Sequence, residues 1–310
     1  MRALVVTSMY PSARAPARGV FVRDQVEALA AMPGVDLELF AFDPGGVRPY
    51  VRAAYDLRRR YRRTRFDIVH AHFGLTAWPA LAVPATAHAV TLHGTDLAHP
   101  RSRAITLAAL RFVDLAAPVS QSLAALLPAR AARARVEILP CGVNLDRFHP
   151  IPRAEARRAL GLDEKDRYAL FPADPARREK RYDRARQIAG GATVLTLGMV
   201  EPGRVPLWVN AADAVLVPSE RESFGLSVLE ALACEVPVIA TPVGIAPDAL
   251  AGLAGTYCGS FHRVRWRAAL DAVLAQPDPR VAGRAVAERY SAVRMAERVL
   301  AAWRALLARA

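Results

Sequence analysis

Cysteine is scarce: Cys141, Cys234 and Cys258 are the only three in 310 residues, with no C-x-x-C or Cys/His spacing, which excludes a disulfide scaffold and argues against a structural zinc site. Long apolar runs are missing too. The most apolar stretch, Trp78 to Leu92, is broken by Pro79, Pro84, Thr86 and His88, short of the ~20 clean residues a spanning helix needs. The first ten residues lack a secretory pattern, since the apolar run Ala3 to Val6 gives way at once to Thr7, Ser8, Tyr10 and Pro11 and reads as a first β-strand. A reducing cytoplasm, with at most peripheral membrane contact, is the expected setting.

What is abundant is arginine. Lys+Arg number 42 against 29 Asp+Glu, a formal charge of +13, yet only Lys165 and Lys180 are lysines. Such a balance proposes nucleic acid, an anionic membrane surface or a phosphorylated ligand as partner. The excess is spread over both halves, so much of it reads as compositional bias. With 53 % apolar residues the chain is long enough for two sizeable cores.

Short β-branched runs alternate with Arg/Ala/Leu helical patterns throughout, the signature of βαβ units and parallel sheets. Strands are expected at Ala3 to Thr7, Asp36 to Ala41, Ile68 to His72, Ala89 to Leu92, Leu115 to Val119 and Val136 to Leu139. A second series covers Tyr168 to Pro172, Thr193 to Leu197, Ala214 to Pro218 and Val236 to Ala240. The Pro/Gly/Asn-rich stretch Pro140 to Pro152 separates the series and sets the expected boundary, with domains at 1–150 and 151–290. A terminal helical pattern carries Val299, Leu300, Trp303, Leu306 and Leu307 at core-facing spacing.

Glu222-Ser-Phe-Gly-Leu-Ser-Val-Leu-Glu230 follows a strand and runs into a helix. Free N–H groups around Phe224, Gly225 and Leu226, at the positive end of a helix dipole, make an anion site, and Gly225 admits close approach of a ligand to the backbone. Read as helix, the eight residues from Glu222 to Glu230 span roughly 12 Å, comparable to the distance between the two sugars of a nucleotide diphosphate sugar. Taken alone, such a pair is more often a capping acid and a solvated helix residue.

The setting changes that balance. Asn210-Ala-Ala-Asp-Ala-Val-Leu-Val-Pro-Ser219, the Glu222 to Glu230 segment, and Ala231-Leu-Ala-Cys-Glu-Val-Pro-Val-Ile-Ala-Thr-Pro-Val-Gly244 together resemble the retaining, nucleotide-sugar-dependent glycosyltransferases of family 4. The resemblance extends along nearly the whole chain. It implies the GT-B fold: two Rossmann-like α/β domains facing a cleft, an acceptor-side domain at 1–150 and a donor domain at 151–290, with the helix at 291–310 crossing back to the first. It implies that Glu222 contacts the transferred sugar, that Glu230 holds the ribose, and that Phe224, Gly225 and Leu226 line the donor. In Phe171-Pro-Ala-Asp-Pro-Ala-Arg-Arg-Glu-Lys-Arg181 it gives Lys180 the lysine that neutralises the diphosphate. The partner arginine usually stands five residues earlier; Pro175 is there, so Arg177 or Arg178 must substitute.

In the first half, Phe66-Asp-Ile-Val-His-Ala-His-Phe-Gly74 and Val90-Thr-Leu-His-Gly-Thr-Asp96 are strand ends followed by loops, where open α/β sheets bind ligands. The resemblance places His93 near the anomeric carbon of the donor; His70 and His72 read as structural or cleft-lining. Gly19 resembles the glycine that lets its loop approach the donor phosphate, with Arg18 and Arg23 as further substrate-facing candidates, and Leu197-Gly-Met-Val200 aligns with the strand end whose backbone reads the nucleobase. No Asp-x-Asp pair occurs. The expected reaction is therefore metal-independent glycosyl transfer with no cofactor, from a nucleotide-diphosphate sugar to a glycan, lipid-linked or small-molecule acceptor, as in cell-surface polysaccharide synthesis.

The alternative is a GT-B protein that binds a nucleotide sugar or glycan without turnover. The chain is short for this family, and the shortening falls between Tyr182 and Leu195. The run Arg58 to Arg65 fits a solvated helix end or, as in the family, contact with an anionic membrane surface; nucleic acid ranks below both because Tyr61 is the only interleaved aromatic.

Overall fold

The computed structural model describes residues 1–128, 134–198 and 200–309. It divides into two compact units, one of Met1–Gly142 with Ala292–Ala310, the other of Val143–Ser291. Among the described residues no helix is long and apolar enough to cross a membrane.

The first unit is built on a parallel sheet of β1 (Arg2–Thr7), β2 (Asp36–Ala41), β3 (Phe66–His72), β4 (Ala85–Leu92), β5 (Leu115–Pro118) and β6 (Arg135–Val136), in the order β2-β1-β3-β4-β5-β6. Ala3, Leu4, Val5 and Val6 are all buried, as an unbroken apolar run is when helices cover both faces of a parallel sheet. The helix Ala292–Leu307 completes this core. Its Met295, Val299, Leu300 and Trp303 pack with Ala3, Leu29, Ile68, Ala87 and Leu115, and Trp303 is fully enclosed. Beyond Val136 the predicted strand survives as single bonds, Glu137 N–H to Ala116 O and Leu139 N–H to Pro118 O.

The second unit holds β7 (Tyr168–Phe171), β8 (Thr193–Thr196), β9 (Ala214–Val217), β10 (Val238–Ala240) and β11 (Tyr257–Cys258), in the order β11-β10-β9-β7-β8, again parallel. β10 starts two residues later than its β-branched run suggests. Val236 spends its N–H on Ala231 O at the end of the preceding helix, and Pro237 has none to give. The two-residue β11 went unanticipated because nothing in its sequence marks a strand. Between Tyr182 and Leu195 a single helix, Tyr182–Ala189, leads directly to β8.

Residues 143–150, read from the sequence as the end of the first domain, belong with the second unit. Val143 N–H reaches Tyr290 O, and Asn210 accepts from Ile151 N–H while donating to His149 O and Pro206 O. Asp213, completely buried, accepts from Arg153 at 2.6 Å, Arg157 at 2.9 Å and Tyr168 N–H at 2.8 Å. A buried carboxylate is tolerable only when so fully paired. The Asn210-Ala-Ala-Asp213 segment thus serves as the fastening of the connector.

Candidate active site

Two loops at the C-terminal ends of neighbouring strands build the site of the second unit. After β7 the chain makes a 3-10 turn at Arg178–Lys180; after β9 it reaches Glu222. Glu220 N–H donates to Glu179 O at 2.9 Å and ties the loops together. Lys180 Nζ stands 2.6 Å and 2.8 Å from the two oxygens of Glu222. Their side chains are 16 % and 9 % exposed, so the pair is only partly hydrated and the charges interact strongly. Ser219 Oγ donates to the same Glu222 Oε1 at 2.8 Å, and Thr241 Oγ1 donates to Ser219 O at 2.6 Å. Neither Ser219 nor Thr241 was singled out from the sequence, since Thr241 meets this loop only through the pairing of β9 and β10.

Behind Glu222 the backbone is held by two glycines. Gly225 has φ 87 and precedes the helix Leu226–Ala233; Gly244 has φ 61, and a Cβ there would lie 2.4 Å from Phe224 O. The close approach lets Ile245 N–H bond Phe224 O at 2.6 Å. The helix has no side-chain cap, and of its first-turn N–H groups that of Val228 donates to Gly225 O at 3.1 Å, with no side chain serving those of Leu226 and Ser227. Because Glu222 to Gly225 are not helical, the 12 Å helical span read from the sequence does not apply. Glu230 is the fifth residue of the helix, little more than one turn in, about 6 Å of rise from Leu226.

Of the two candidate arginines, Arg177 is turned onto Glu179, at 3.1 Å and 2.9 Å. Arg178 instead lines a cavity of about 900 Å³ with Tyr182, Arg186, Glu220 and Arg221. Arg181 sits at φ 57, in the left-handed region, and pairs with Asp183 and Glu220. Val200 caps the turn after β8 with its N–H on Leu197 O; Met199, part of the predicted base-reading strand end, lies outside the described residues.

In the first unit, His93 follows β4 and is partly exposed, its ring 5.0 Å from that of Phe21. Its N–H and that of Gly94 both donate to Asp96, at 2.9 Å and 2.6 Å, and Gly74 N–H donates at 3.3 Å. Burial raises the Asp96 carboxyl pKa against the pull of those three donors. Asp96 is the anchor of this loop and was missed in the sequence because an Asp three residues after a His has no distinctive spacing. Burial lowers His93 and His70 to about 3, and lowers His72 in the same direction, so all three are neutral. Gly19 has its own reason to lack a side chain: at φ 63, a Cβ would lie 2.1 Å from Met9 O. Arg18 is engaged with Asp43 at 2.7 Å, and Arg23 lies 3.6 Å from both Asp24 and Glu27.

Burial pushes the Cys141 and Cys234 thiols up to about 12, which makes them poor nucleophiles. Among the described residues no group of three or more His, Cys, Asp or Glu side chains is set to hold a metal ion.

Residues 10–147 match the model of Glycosyltransferase Family 4, and residues 154–282 match that of Glycosyl transferases group 1. A D-inositol 3-phosphate glycosyltransferase of Pseudarthrobacter chlorophenolicus is 30 % identical, over 79 % of this chain and 71 % of its own. A putative teichuronic acid biosynthesis glycosyltransferase, TuaC of Bacillus subtilis, is 26 % identical over 79 % of this chain and 82 % of its own. Among solved structures, sucrose-phosphate synthase from Thermosynechococcus elongatus superimposes with a TM-score of 0.77 at 19 % identity, over all of both chains. HepE of Anabaena, solved with UDP, gives 0.71 at 14 % identity, over 98 % of this chain and 100 % of its own.

Proposed function

Because the chain belongs to glycosyltransferase family 4 and has the GT-B fold, we propose that it moves a sugar, with retention of configuration, from a nucleotide-diphosphate donor to an acceptor hydroxyl without a metal ion. The observation that carries this reading is the Lys180–Glu222 pair, held at two strand ends beside an uncapped helix N-terminus. In the resting protein the ammonium and carboxylate satisfy each other. With donor present, Glu222 accepts hydroxyl hydrogen bonds from the transferred sugar, and Lys180 turns its charge to the diphosphate as the glycosidic bond breaks. Arg178 supplies the second cation, in preference to Arg177, which Glu179 already holds. First-turn N–H groups around Leu226 meet the remaining phosphate charge, Glu230 takes the ribose, and Val200 lies beside the base. In the first unit, His93 and Gly19 are the residues that the family resemblance assigns to the sugar and the phosphate. Catalysis in this scheme is electrostatic stabilisation of the leaving group.

HepE structures with UDP and with UDP-glucose support a uridine diphosphate sugar as the first donor to try, and TuaC supports an acceptor belonging to cell-surface polysaccharide. The run Arg58 to Arg65 gives the protein a cationic face for the inner leaflet of the plasma membrane. Tyr61 is buried and donates to Glu38, leaving no aromatic there for a nucleic-acid base. Pro175 in place of the usual arginine is the feature that favours the second reading, donor binding without turnover.

A thermal-shift and hydrolysis panel of nucleotide sugars, run on wild type and Glu222→Ala with and without a chelator, separates these. Expected are stabilisation by one donor, slow hydrolysis unaffected by chelation, and at least a hundredfold loss in the variant. Stabilisation without hydrolysis or transfer would establish the binding-only reading, and equal turnover by Glu222→Ala would remove the site assignment.

A further inference from the structure

Three histidine rings are stacked through the first unit. His70 and His72 are on one face of β3, as residues two apart in a strand must be, and His93 is at the end of β4. The rings of His70 and His72 are 5.1 Å apart and 9° from parallel; those of His72 and His93 are 5.3 Å apart and 17° from parallel.

Their hydrogen bonds fix where each proton sits. Trp303 Nε1 can only donate, so His70 Nδ1, 2.9 Å away, is the bare nitrogen, and His70 Nε2–H donates to Thr91 Oγ1 at 2.7 Å. His72 Nδ1 and His93 Nε2 are 3.0 Å apart, so one of the two carries a hydrogen. His72 Nε2 decides which. It is buried without a partner, and folded proteins leave a buried N–H unpaired more rarely than a buried acceptor. The hydrogen of His72 is therefore on Nδ1, and His93 Nε2 accepts it. That leaves the hydrogen of neutral His93 on Nδ1, which has no bond within the described residues and is not among the buried unpaired atoms.

We propose that His72 is a positioning residue, holding His93 in the Nδ1–H tautomer so that this ring offers a ligand a hydrogen-bond donor and not an acceptor. The ligand group that fits is a neutral oxygen, a sugar hydroxyl or ring oxygen. In this tautomer His93 cannot act as the base that takes the acceptor proton. The ligand part of the proposal rests on the glycosyl-transfer reading; the tautomer does not.

Two variants test it. His72→Asn keeps an N–H donor close to the original Nδ1 position, and His72→Phe keeps a flat ring without the donor. Imidazole ¹⁵N spectra, with His93 assigned by its loss in His93→Ala, are expected to show an unprotonated Nε2 and a protonated Nδ1 in wild type and His72→Asn. His72→Phe is expected to give mixed tautomers. For UDP-glucose hydrolysis, His72→Phe should lower kcat about tenfold with KM within twofold of wild type, and His72→Asn should restore kcat to within threefold. A protonated Nε2 on wild-type His93, or equal loss of kcat in both variants, overturns the proposal. Should His72→Phe fail to fold, the wild-type spectrum decides. The stated tautomer with no hydrolysis of any donor by wild type would uphold the positioning role and sink the glycosyl-transfer reading instead.

Discussion

Lys180 is one of two lysines among 42 basic residues, and the geometry around it explains the choice. A single ammonium reaches both oxygens of Glu222 from 2.6 Å and 2.8 Å, and a compact charge on a flexible stem can swing from carboxylate to phosphate; a planar guanidinium would lock onto the carboxylate as a fork. Lys180→Arg is therefore expected to fold normally and to lose at least tenfold in kcat/KM for the donor that the panel identifies, measured by steady-state hydrolysis. The histidines set a pH limit at the same scale. Folded His70 and His93 titrate near 3, against about 6.5 in an unfolded chain. Between those values the unfolded chain binds the extra protons, so stability is full above pH ~6.5 and is lost as pH falls, by about 1.4 kcal/mol per pH unit for each histidine. Hydrogen exchange of β3 and β4 amides at pH 7 and pH 5 is expected to reveal a drop of several kcal/mol, with His72 contributing in the same direction. Glu222, Gly225 and Glu230 could be singled out because they fall within one short segment that resembles the family's, and Lys180 because the turn it stands in resembles the family's strand-to-helix turn. Ser219 with Thr241, Asp96 with Gly74, and Trp303 with His70 could not, because each pair forms only when distant segments pack.

Elements show the same division. Most strand and helix positions follow from runs of apolar and β-branched residues, but their ends depend on bonding that periodicity does not carry, as Val236 and Pro237 demonstrate at the start of β10. The end of the helix Leu226–Ala233 is a case with energetic content. Glu235 N–H donates to Leu232 O and Val236 N–H to Ala231 O, the paired bonds of a Schellman motif, and the residue at the left-handed position is Glu235 at φ 59. A side chain there costs about 1–2 kcal/mol relative to glycine, partly offset by the greater unfolded freedom of glycine. Glu235→Gly should raise stability by about 0.5–1 kcal/mol in urea unfolding, with activity unchanged because the site-facing end of this helix is the other one. Gly19 and Gly244 are the reverse: backbone oxygens stand 2.1 Å and 2.4 Å from where a Cβ would be, so neither position admits even alanine without a shift of the loop.

At the scale of the molecule, the two units differ in how the chain enters them. Residues 143–291 are continuous, whereas the first unit is assembled from 1–142 and 292–310. A fragment of 143–291 is expected to melt cooperatively on its own and to bind UDP. Deleting 292–310 should abolish the first unit's transition in calorimetry and leave the second, since it removes the buried Met295, Val299, Leu300 and Trp303, each worth about 2–5 kcal/mol in a core. The terminal helix was anticipated from its apolar spacing, but its contact with His70 across 233 residues of chain was not. That contact has a consequence for synthesis. Residues 1–142 leave the ribosome before 143–291, yet the apolar sheet face of Ala3, Ile68, Ala87 and Leu115 is covered only in part, around Leu29, until the helix Ala292–Leu307 emerges, after about 150 further residues and roughly 8–30 s at ordinary elongation rates. The half made first is the half that finishes folding last, and during that interval it is the natural client of a chaperone.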